Sequence, residues 1–536
     1  MRDDRLAVVG CLGRGEVGSG RILAEEEIAK EEVDRALQKT KSGKAAGIDG
    51  IAVEFLKQGG SSVRDWLVRL YNICMERGET PENWQKAVIV PLYKGKGDKR
   101  ECTNHRGVSL LSITGKVYGR IVIDRVIKGT ESQIGEEQCG FRKGRGCVDQ
   151  IFALKNLCEK YLEREKELYI AFMDLEKAYD RVDREALWKV LQIYGVGGKL
   201  LGAVKSFYAE SKACVRVRKE EGEWFGVATG LRQGCVMSPW LFNVYMDGVV
   251  REVNARVLGR GAQMNTVGGV HRWEVNQLLF ADDTALVADS GKKLQKLVTE
   301  FGVVCNRRKL RVNVNKSKVM RCAKGVPSDL DEVSLNGEVL EEVESFRYLG
   351  VDIAADGSQE GEVKHRVGEG AKILGALRRV WKEPSVSRQA KMGMYESIVV
   401  PTVMYGCEAW ALNARERKKL EVLEMKCLRT ITGVKWYDRV RNERVREMCG
   451  GKRSLLERAE QGVLKWFGHV ERMGEERLTK RIYKSEVVGA RGRGRPRRRW
   501  KDGVKEALSM KGLSIQEGER RARDRKMWSR VVYGGS

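Results

Sequence analysis

Residues 275–290 read VNQLLFADDTALVADS, and this stretch places two adjacent carboxylates inside an apolar run. Asp282 and Asp283 follow the segment QLLFA and precede the segment TALVA. Burying such charges costs free energy unless a cation or a polar turn compensates them. The pattern therefore predicts two buried strands joined by a tight turn that carries both aspartates.

A second apolar segment upstream ends in the same way. Residues 167–183 read ELYIAFMDLEKAYDRVD, which predicts a buried strand over residues 168–173 that ends at Asp174. Carboxylates at the ends of two strands of one sheet would face each other, and their oxygens are ligands that Mg²⁺ prefers. A single aspartate at a strand end is more often a turn residue. The metal-site prediction therefore depends on both segments together.

The elements around these strands predict the fold class. After residue 168 the order is strand, helix, hairpin (KACVRVRKEEGEWFGVATG), helix (MSPWLFNVYMDGVVREV), strand hairpin and helix. This order predicts an α+β layer with helices on one side of the sheet. Upstream, the patterns predict helices over residues 24–41, 108–127 and 147–167 and a strand over residues 87–92. Downstream, a short β section from about residue 330 precedes a helical remainder.

Composition limits the class of protein. The chain has 536 residues, of which 42% are hydrophobic, and a formal net charge of +26. The length predicts several domains, and the charge predicts a polyanionic partner, most often nucleic acid, unless the surface is basic without a specialised role. The 13 cysteines contain no C-x-x-C pair, which favours reduced thiols over a zinc site. Without a signal peptide or an apolar run long enough for a membrane span, an intracellular protein is expected.

Several segments, in this order, carry a resemblance to a known family. They are KSGKAAGIDGI, the first fingers block WQKAVIVPLYKGKGDKRECTNHRGVSLLSITGKVYGRI, the second block QCGFRKGRGCVDQIFAL, AFMDLEKAYDRVDREALW (motif A), GLRQGCVMSPWLFNVYMD (motif B), LLFADDTALVA (motif C), LRVNVNKSKVM (motif D) and FRYLGVDI. Together they resemble the reverse transcriptases of non-LTR (LINE-type) retrotransposons over about residues 25–432. Motifs A, B and C in this order are specific, whereas motif D alone is weak.

The resemblance implies a right-hand polymerase with an antiparallel palm sheet. Residues 1–24 stay unassigned, residues 25–165 would be the fingers with an N-terminal extension, and residues 166–335 the palm. Residues 336–432 would be the thumb and connecting region, followed by a basic, mainly helical region over residues 433–536.

The resemblance also implies roles for single residues. Asp174, Asp282 and Asp283, with the backbone carbonyl of Leu175, would bind two Mg²⁺ ions, for which Mn²⁺ could substitute. Lys316 would protonate the pyrophosphate leaving group. The residues expected to contact the nucleotide or template are Tyr179, which would exclude a ribose 2′-hydroxyl, Gln233 and Gly234 at the nascent base pair, and Arg142, Arg106 and Lys116 in the fingers.

The basic tail, residues 491–499, reads RGRGRPRRR. Its glycine, arginine and proline content resembles an AT-hook that enters the minor groove of A·T-rich DNA. A nuclear-import signal, a general phosphate-binding arm and a solvated linker are the alternatives. The nucleic-acid-binding candidates are Arg491, Arg493, Arg495, Arg497, Arg498 and Arg499.

The expected function is RNA-directed DNA polymerase, with an RNA template, a DNA primer or target DNA and dNTPs as partners and no membrane. Synthesis in the cytoplasm and action in the nucleus are expected. Only some 24 residues precede the first recognisable block, so the endonuclease domain of many LINE-type proteins is expected to be missing, as in a truncated element copy. The alternatives are a maturase-like or RNA-synthesising polymerase, and an inactive copy that acts as a nucleic-acid-binding protein. Gly107 also departs from the proline that the family often carries at this position.

Overall fold

The computed structural model describes residues 26–266, 271–324, 332–490 and 497–534. The strands, in chain order, are β1 Lys86–Tyr93, β2 His105–Leu110, β3 Leu168–Met173, β4 Lys212–Val217, β5 Glu220–Glu221, β6 Phe225–Gly226, β7 Ala262–Asn265, β8 Arg272–Val275, β9 Gln277–Phe280, β10 Asp283–Ala288, β11 Lys318–Cys322, β12 Ser334–Leu335, β13 Glu338–Val339, β14 Glu341–Glu342, β15 Ser345–Tyr348 and β16 Val351–Ala354.

The α-helices up to the central sheet are α1 Lys30–Lys39, α2 Val53–Gln58, α3 Gly60–Arg77, α4 Glu82–Gln85, α5 Ile113–Thr130, α6 Cys147–Glu163, α7 Ala178–Arg181, α8 Arg184–Ile193, α9 Gly198–Ser206, α10 Ser238–Arg256 and α11 Gly291–Arg307. Those that follow are α12 Glu360–Lys382, α13 Arg388–Met394, α14 Val400–Val403, α15 Ala414–Thr432, α16 Asn442–Met448, α17 Leu455–Glu471, α18 Leu478–Lys484, α19 Trp500–Ser509, α20 Ile515–Ala522 and α21 Arg525–Tyr533.

The central sheet has the strand order β14–β11–β3–β10–β9. Its neighbours are antiparallel except at the edge, where β14 runs parallel to β11. The predicted strand over residues 168–173 and the predicted hairpin around Asp282 are both present. Tight local turns and continuous apolar runs dictate these elements, so their positions follow from nearby sequence.

Helices cover both faces of this sheet, and the prediction of helices on one side is wrong. Along β3, Tyr169, Ala171 and Met173 belong to a core shared with α10 and α11. The alternate residues Leu168 and Ile170 belong to a second core, shared with α6 and the C-terminal helices. A strand that is apolar at every position has no face suited to water, which explains the second layer.

A second sheet lies upstream and has the order β2–β1–β4–β5, with β6 also paired to β4. The predicted hairpin that follows residue 212 is present, and its first strand also pairs in parallel with β1. The helix predicted over residues 108–127 is wrong at its start. There β2 pairs with β1, placing Leu110 opposite Val88, and α5 begins only at Ile113.

The C-terminal helices are built onto α6. Phe152 of α6 lies with its ring 4.6 Å from Trp500 and 5.6 Å from Trp466. The helices from α12 to the start of α17 enclose a third core that contains Trp381 and Trp410. Among the helices of the described residues, none combines the length and apolar character needed to cross a bilayer.

Candidate active site

Asp174 and Asp283 lie at the same end of the central sheet, on neighbouring strands. Met173 of β3 pairs with Thr284 of the antiparallel strand β10. Asp174 comes directly after Met173, and Asp283 comes directly before Thr284, so the two aspartates lie side by side. Asp282 lies in the two-residue turn between β9 and β10, where Ala281 has a φ of +58°. The topology therefore brings together the three carboxylates that the sequence singled out.

The carboxylates repel one another in a setting partly shielded from water. Burial, then the charges of Asp282 and Asp174, raise the pKa of Asp283 to about 6. Burial and Asp174 also raise the pKa of Asp282, which the charge of Arg106 partly offsets. Burial is the main cause of both rises, and the charges of the neighbouring carboxylates add to it.

A divalent cation fits this donor set. Carboxylate and carbonyl oxygens are hard ligands suited to Mg²⁺, and the charge of the ion would offset the repulsion among the three carboxylates. As it stands, no group of three or more His, Cys, Asp or Glu side chains within the described ranges is arranged to hold a metal ion. The fit therefore rests on the chemistry and charge of the donors.

A loop over residues 311–317 braces the end of β3. The backbone N–H of Asp174 donates to the Ser317 hydroxyl over 3.1 Å, and the carbonyl of Asp174 accepts from Asn313 over 2.8 Å. Leu175 forms an isolated bridge to Val312 and buries its side chain. The same loop holds the Lys316 amine 3.7 Å from the Asp174 carboxylate.

Tyr179 packs beside the carboxylates. Its ring stacks on Phe242 of α10, with centroids 4.4 Å apart and an interplanar angle of 11°. Burial and the charge of Asp282 raise the pKa of the Tyr179 hydroxyl. The stacked, half-buried ring is thus fixed in place at the edge of the site.

The loop that contains Gln233 and Gly234 is anchored against β2. The carbonyl of Gln233 accepts a 3.0 Å hydrogen bond from Ser109, and Gly234 has a φ of +97°, which favours glycine. Gln233 is half-buried and Gly234 is exposed. Arg232, which sequence reasoning missed, is buried and donates to the carbonyls of Trp84, Gln85 and Phe207 and to the Ser211 hydroxyl.

Two of the three predicted basic contacts lie near the site. Arg106 of β2 is exposed, and its charge acts on Asp282. Lys116 is half-buried near the start of α5, where it lines a small pocket with Gly115, Arg232 and Cys235. Burial lowers the pKa of Lys116.

Comparison with known proteins identifies the domain. Residues 94–353 match the family model described as reverse transcriptase (RNA-dependent DNA polymerase). The chain carries a reverse transcriptase domain. This domain contains the three aspartates, Tyr179, the loop of Gln233 and the loop of Lys316.

The chain is similar to proteins of non-LTR retrotransposons, as the sequence predicted. It is 25% identical over 428 residues to the RNA-directed DNA polymerase from mobile element jockey of Drosophila melanogaster, covering 77% of this chain and 45% of that protein. It is 25% identical to the Pol polyprotein of retrotransposable element R2 of Nasonia vitripennis, covering 67% of this chain and 34% of that protein. The chain is also 28% identical to a transposon TX1 protein of Xenopus laevis, in a match that covers 62% of this chain and 25% of that protein. The chain spans less than half of the length of these relatives.

Arg142 of the reverse transcriptase domain is a correction to the sequence prediction. Its guanidinium is buried and donates to the Glu131 carboxylate over 3.0 Å and to the carbonyls of Gly135, Gln138 and Glu131. A buried guanidinium that makes four hydrogen bonds inside the protein is not available to a triphosphate. Its role here is to fold the segment that precedes α6.

Gln138 of that segment and Gln150 of α6 are residues beside the site that sequence reasoning missed. The side-chain carbonyl of Gln138 accepts from the N–H of Ala281 over 2.8 Å, and its amide donates to the Ala281 carbonyl over 3.2 Å. Gln150 of α6 donates to the carbonyl of Leu279 over 3.0 Å. Both glutamines therefore fix the hairpin that carries the aspartates. The available signal was Gln138 itself, a polar residue two positions before Gly140 in QCGFRKGRG.

The arginines of the basic tail that the structure describes are in ion pairs. Arg497 pairs with Asp356 at 3.3 Å, Arg498 with Glu506, and Arg499 with Glu163 at 3.3 Å. Arg499 also contacts Asp502 at the start of α19. The observed partners of these three residues are carboxylates of the chain, and their contact with DNA stays a prediction. Arg491, Arg493 and Arg495 lie outside the described residues.

Proposed function

We propose that this chain is an RNA-directed DNA polymerase of the non-LTR retrotransposon type, which adds dNTPs to a DNA 3′-end on an RNA template. The observation that carries the proposal is the convergence of Asp174, Asp282 and Asp283 at one end of the central sheet, inside a reverse transcriptase domain. In this proposal residues 25–165 are the fingers, residues 166–335 the palm and residues 336–432 the thumb and connecting region.

Asp174, Asp282, Asp283 and the carbonyl of Leu175 would hold two Mg²⁺ ions, or Mn²⁺ in their place. When bound, such ions favour attack by a primer hydroxyl and neutralise the charge that develops on the leaving pyrophosphate. The raised pKa of Asp283, about 6, means that this carboxylate is largely ionised and ready to bind a cation at neutral pH. Metal affinity should fall when the pH drops below that value, because protons then compete for the site.

The remaining residues position the substrate and move one proton. The Lys316 amine, 3.7 Å from Asp174, would donate a proton to the pyrophosphate as it leaves. Arg106 and Lys116 would contact the triphosphate or template. Gln233 and Gly234 would contact the nascent base pair, where the exposed glycine leaves room for close approach.

Tyr179 would exclude ribonucleotides. Its ring is held against Phe242 beside Asp282, so an incoming sugar would rest on a rigid surface. A 2′-hydroxyl has no space against such a ring, whereas a deoxyribose fits.

The proposed partners are an RNA template, a DNA primer or target DNA and dNTPs. Backbone phosphates would provide most of the affinity for a chain with a net charge of +26, so binding should weaken as salt increases. A chromosomal primer would place the reaction in the nucleus after synthesis in the cytoplasm.

Primer extension on a poly(rA)/oligo(dT) substrate with Mg²⁺ tests the proposal. Wild-type protein should incorporate dTTP, and the Asp282→Ala variant should lose this activity while it still folds and binds the substrate. Folded wild-type protein that incorporates no nucleotide, or an Asp282→Ala variant that is equally active, would overturn the assignment.

A further inference from the structure

The loop between α15 and α16, residues 433–441, presents two aromatic rings to solvent. Trp436 is 84% exposed and Tyr437 is 55% exposed. They lie in the short 3-10 segment Trp436–Asp438. A tryptophan left almost wholly in water forgoes the stabilisation that burial gives, so an exposed aromatic pair points to a binding surface. Residues 433–441 are called the aromatic loop below.

Packing and hydrogen bonds to the neighbouring helices fix the aromatic loop in place. Val434 and Val440, on either side of the aromatic pair, pack against the core that α12, α15 and α16 share. Arg429 of α15 donates to the Val440 carbonyl over 2.8 Å and to the Asn442 side chain over 3.0 Å. The two rings are therefore displayed on a fixed support, which lowers the entropy cost of binding.

The arrangement of the rings leaves surface for a planar ligand. The two centroids are 5.8 Å apart with an interplanar angle of 74°, an edge-to-face contact that covers little of either ring. The amine of Lys435 lies 5.3 Å from the Tyr437 centroid and covers part of that ring. Most of the Trp436 ring surface is thus open.

The charge around the rings is positive. Residues 435–446 contain five basic residues and two acidic ones. Arg444 and Arg446 pair with glutamates, and the Asp438 carboxylate accepts from the backbone of Lys435. Arg439 and Arg441 are exposed, and within the described ranges neither has an ion-pair partner. An open aromatic surface beside unpaired guanidinium groups suits a planar, polyanionic ligand.

We propose that the aromatic loop is a second nucleic-acid contact, which stacks unpaired bases of a single strand on Trp436 and Tyr437 while Arg439 and Arg441 contact its phosphates. Base stacking on aromatic side chains is tolerant of sequence and needs unpaired bases, so a duplex has no equivalent interaction here. The inference rests on the proposed function only in that the chain handles nucleic acid. It lies outside the reverse transcriptase match, which ends at residue 353.

Binding of labelled oligonucleotides by the full chain tests this proposal without polymerisation. The probes are one unstructured single strand, as RNA and as DNA, and a duplex of the same length. The Trp436→Ala variant should bind the single strand about tenfold more weakly, the loss expected for one stacked base, and the duplex as wild type does. Trp436→Phe should retain most of the affinity because a ring remains.

The matched control is Trp66→Ala, because Trp66 of α3 is also exposed, by 57%, but lies outside the aromatic loop. Its single-strand affinity should be unchanged. Replacing Arg439 and Arg441 by alanine should weaken binding to both probes and reduce the salt dependence. Comparison of the RNA and DNA probes shows which of the two nucleic acids the aromatic loop binds.

The proposal is refuted if Trp436→Ala binds the single strand as tightly as wild type, or if Trp66→Ala loses as much affinity as Trp436→Ala. A protein partner would then be the occupant of the aromatic loop. The test is independent of the polymerase assignment, since the Asp282→Ala variant should bind the single strand as wild type does. Loss of extension without loss of this binding, or the reverse, separates the two proposals.

Discussion

Gly140 is the residue at which the geometry of the proposed catalytic turn, Ala281 and Asp282, can be tested most directly. A Cβ atom added to Gly140 would lie 2.3 Å from the backbone nitrogen of Ala281 and 3.0 Å from its Cα. Carbon atoms in contact are usually about 3.5 Å or more from such neighbours. The Gly140→Ala substitution therefore requires a relative movement of about 1 Å between the two segments.

Most of this movement must occur in the turn of Ala281 and Asp282, because hydrogen bonds on both sides fix the position of Gly140. Its N–H donates to the Gln138 side chain over 2.8 Å, and its carbonyl accepts from Asn243 over 2.6 Å. Ala281 directly precedes Asp282. A misplacement of about 1 Å at reacting groups can reduce the rate about 100-fold, whereas overpacking of this kind costs about 1–3 kcal/mol of stability.

We therefore expect Gly140→Ala to lower kcat/KM for dTTP incorporation about 100-fold while the protein still unfolds cooperatively. Single-nucleotide extension and a thermal unfolding curve measure the two effects. The control is Gly146→Ala in the same segment, where an added Cβ meets nothing within 4 Å and φ is −153°. Near-wild-type kcat/KM in folded Gly140→Ala protein would show that this contact does not fix the catalytic turn.

Three further predictions follow from the site. In metal-free buffer, Asp283→Asn should raise the melting temperature at pH 8, because ionising a carboxyl whose pKa is about 6 rather than 3.8 destabilises the folded state. This advantage should shrink as the pH falls from 6 towards 4, and a pH-independent difference would contradict the raised pKa of Asp283. Arg232→Met should destabilise the fold by about 3 kcal/mol or more, measured by urea unfolding, because several buried acceptors lose their donor; a stability change below about 1 kcal/mol would argue against the anchoring role. Tyr179→Ala should increase rUTP incorporation relative to dTTP, whereas Tyr179→Phe should not. If Tyr179→Ala selects dTTP over rUTP as strongly as wild type, Tyr179 does not exclude the ribose 2′-hydroxyl.

The elements that carry the aspartates could be predicted because their signals are local. The strand that ends before Asp174 and the hairpin around Asp282 are short apolar runs bounded by polar turns. The juxtaposition of Asp174 and Asp283 needed more, since it depends on the pairing of β3 with β10 across more than a hundred residues of chain. The family resemblance supplied that information.

What could not be predicted depends on distant partners. The strand character of residues 108–110 comes from pairing with β1, although the sequence itself suits a helix. Arg142 carries the same charge whether it faces a cleft or the interior, and only the positions of Glu131 and nearby carbonyls decide between the two. Apart from α6, the helices on the second face of the sheet come from the far end of the chain.

The packing of the C-terminal helices on α6 has an evolutionary consequence. Phe152 of α6 lies against Trp466 and Trp500, so two of its aromatic partners come from beyond residue 455. If these helices were lost, α6 would expose an apolar face next to the hairpin that Gln150 holds. The C-terminal segment is thus part of the same folding unit as α6. Recombination between homologous chains should therefore leave a folded product only when α6 and this segment come from the same parent.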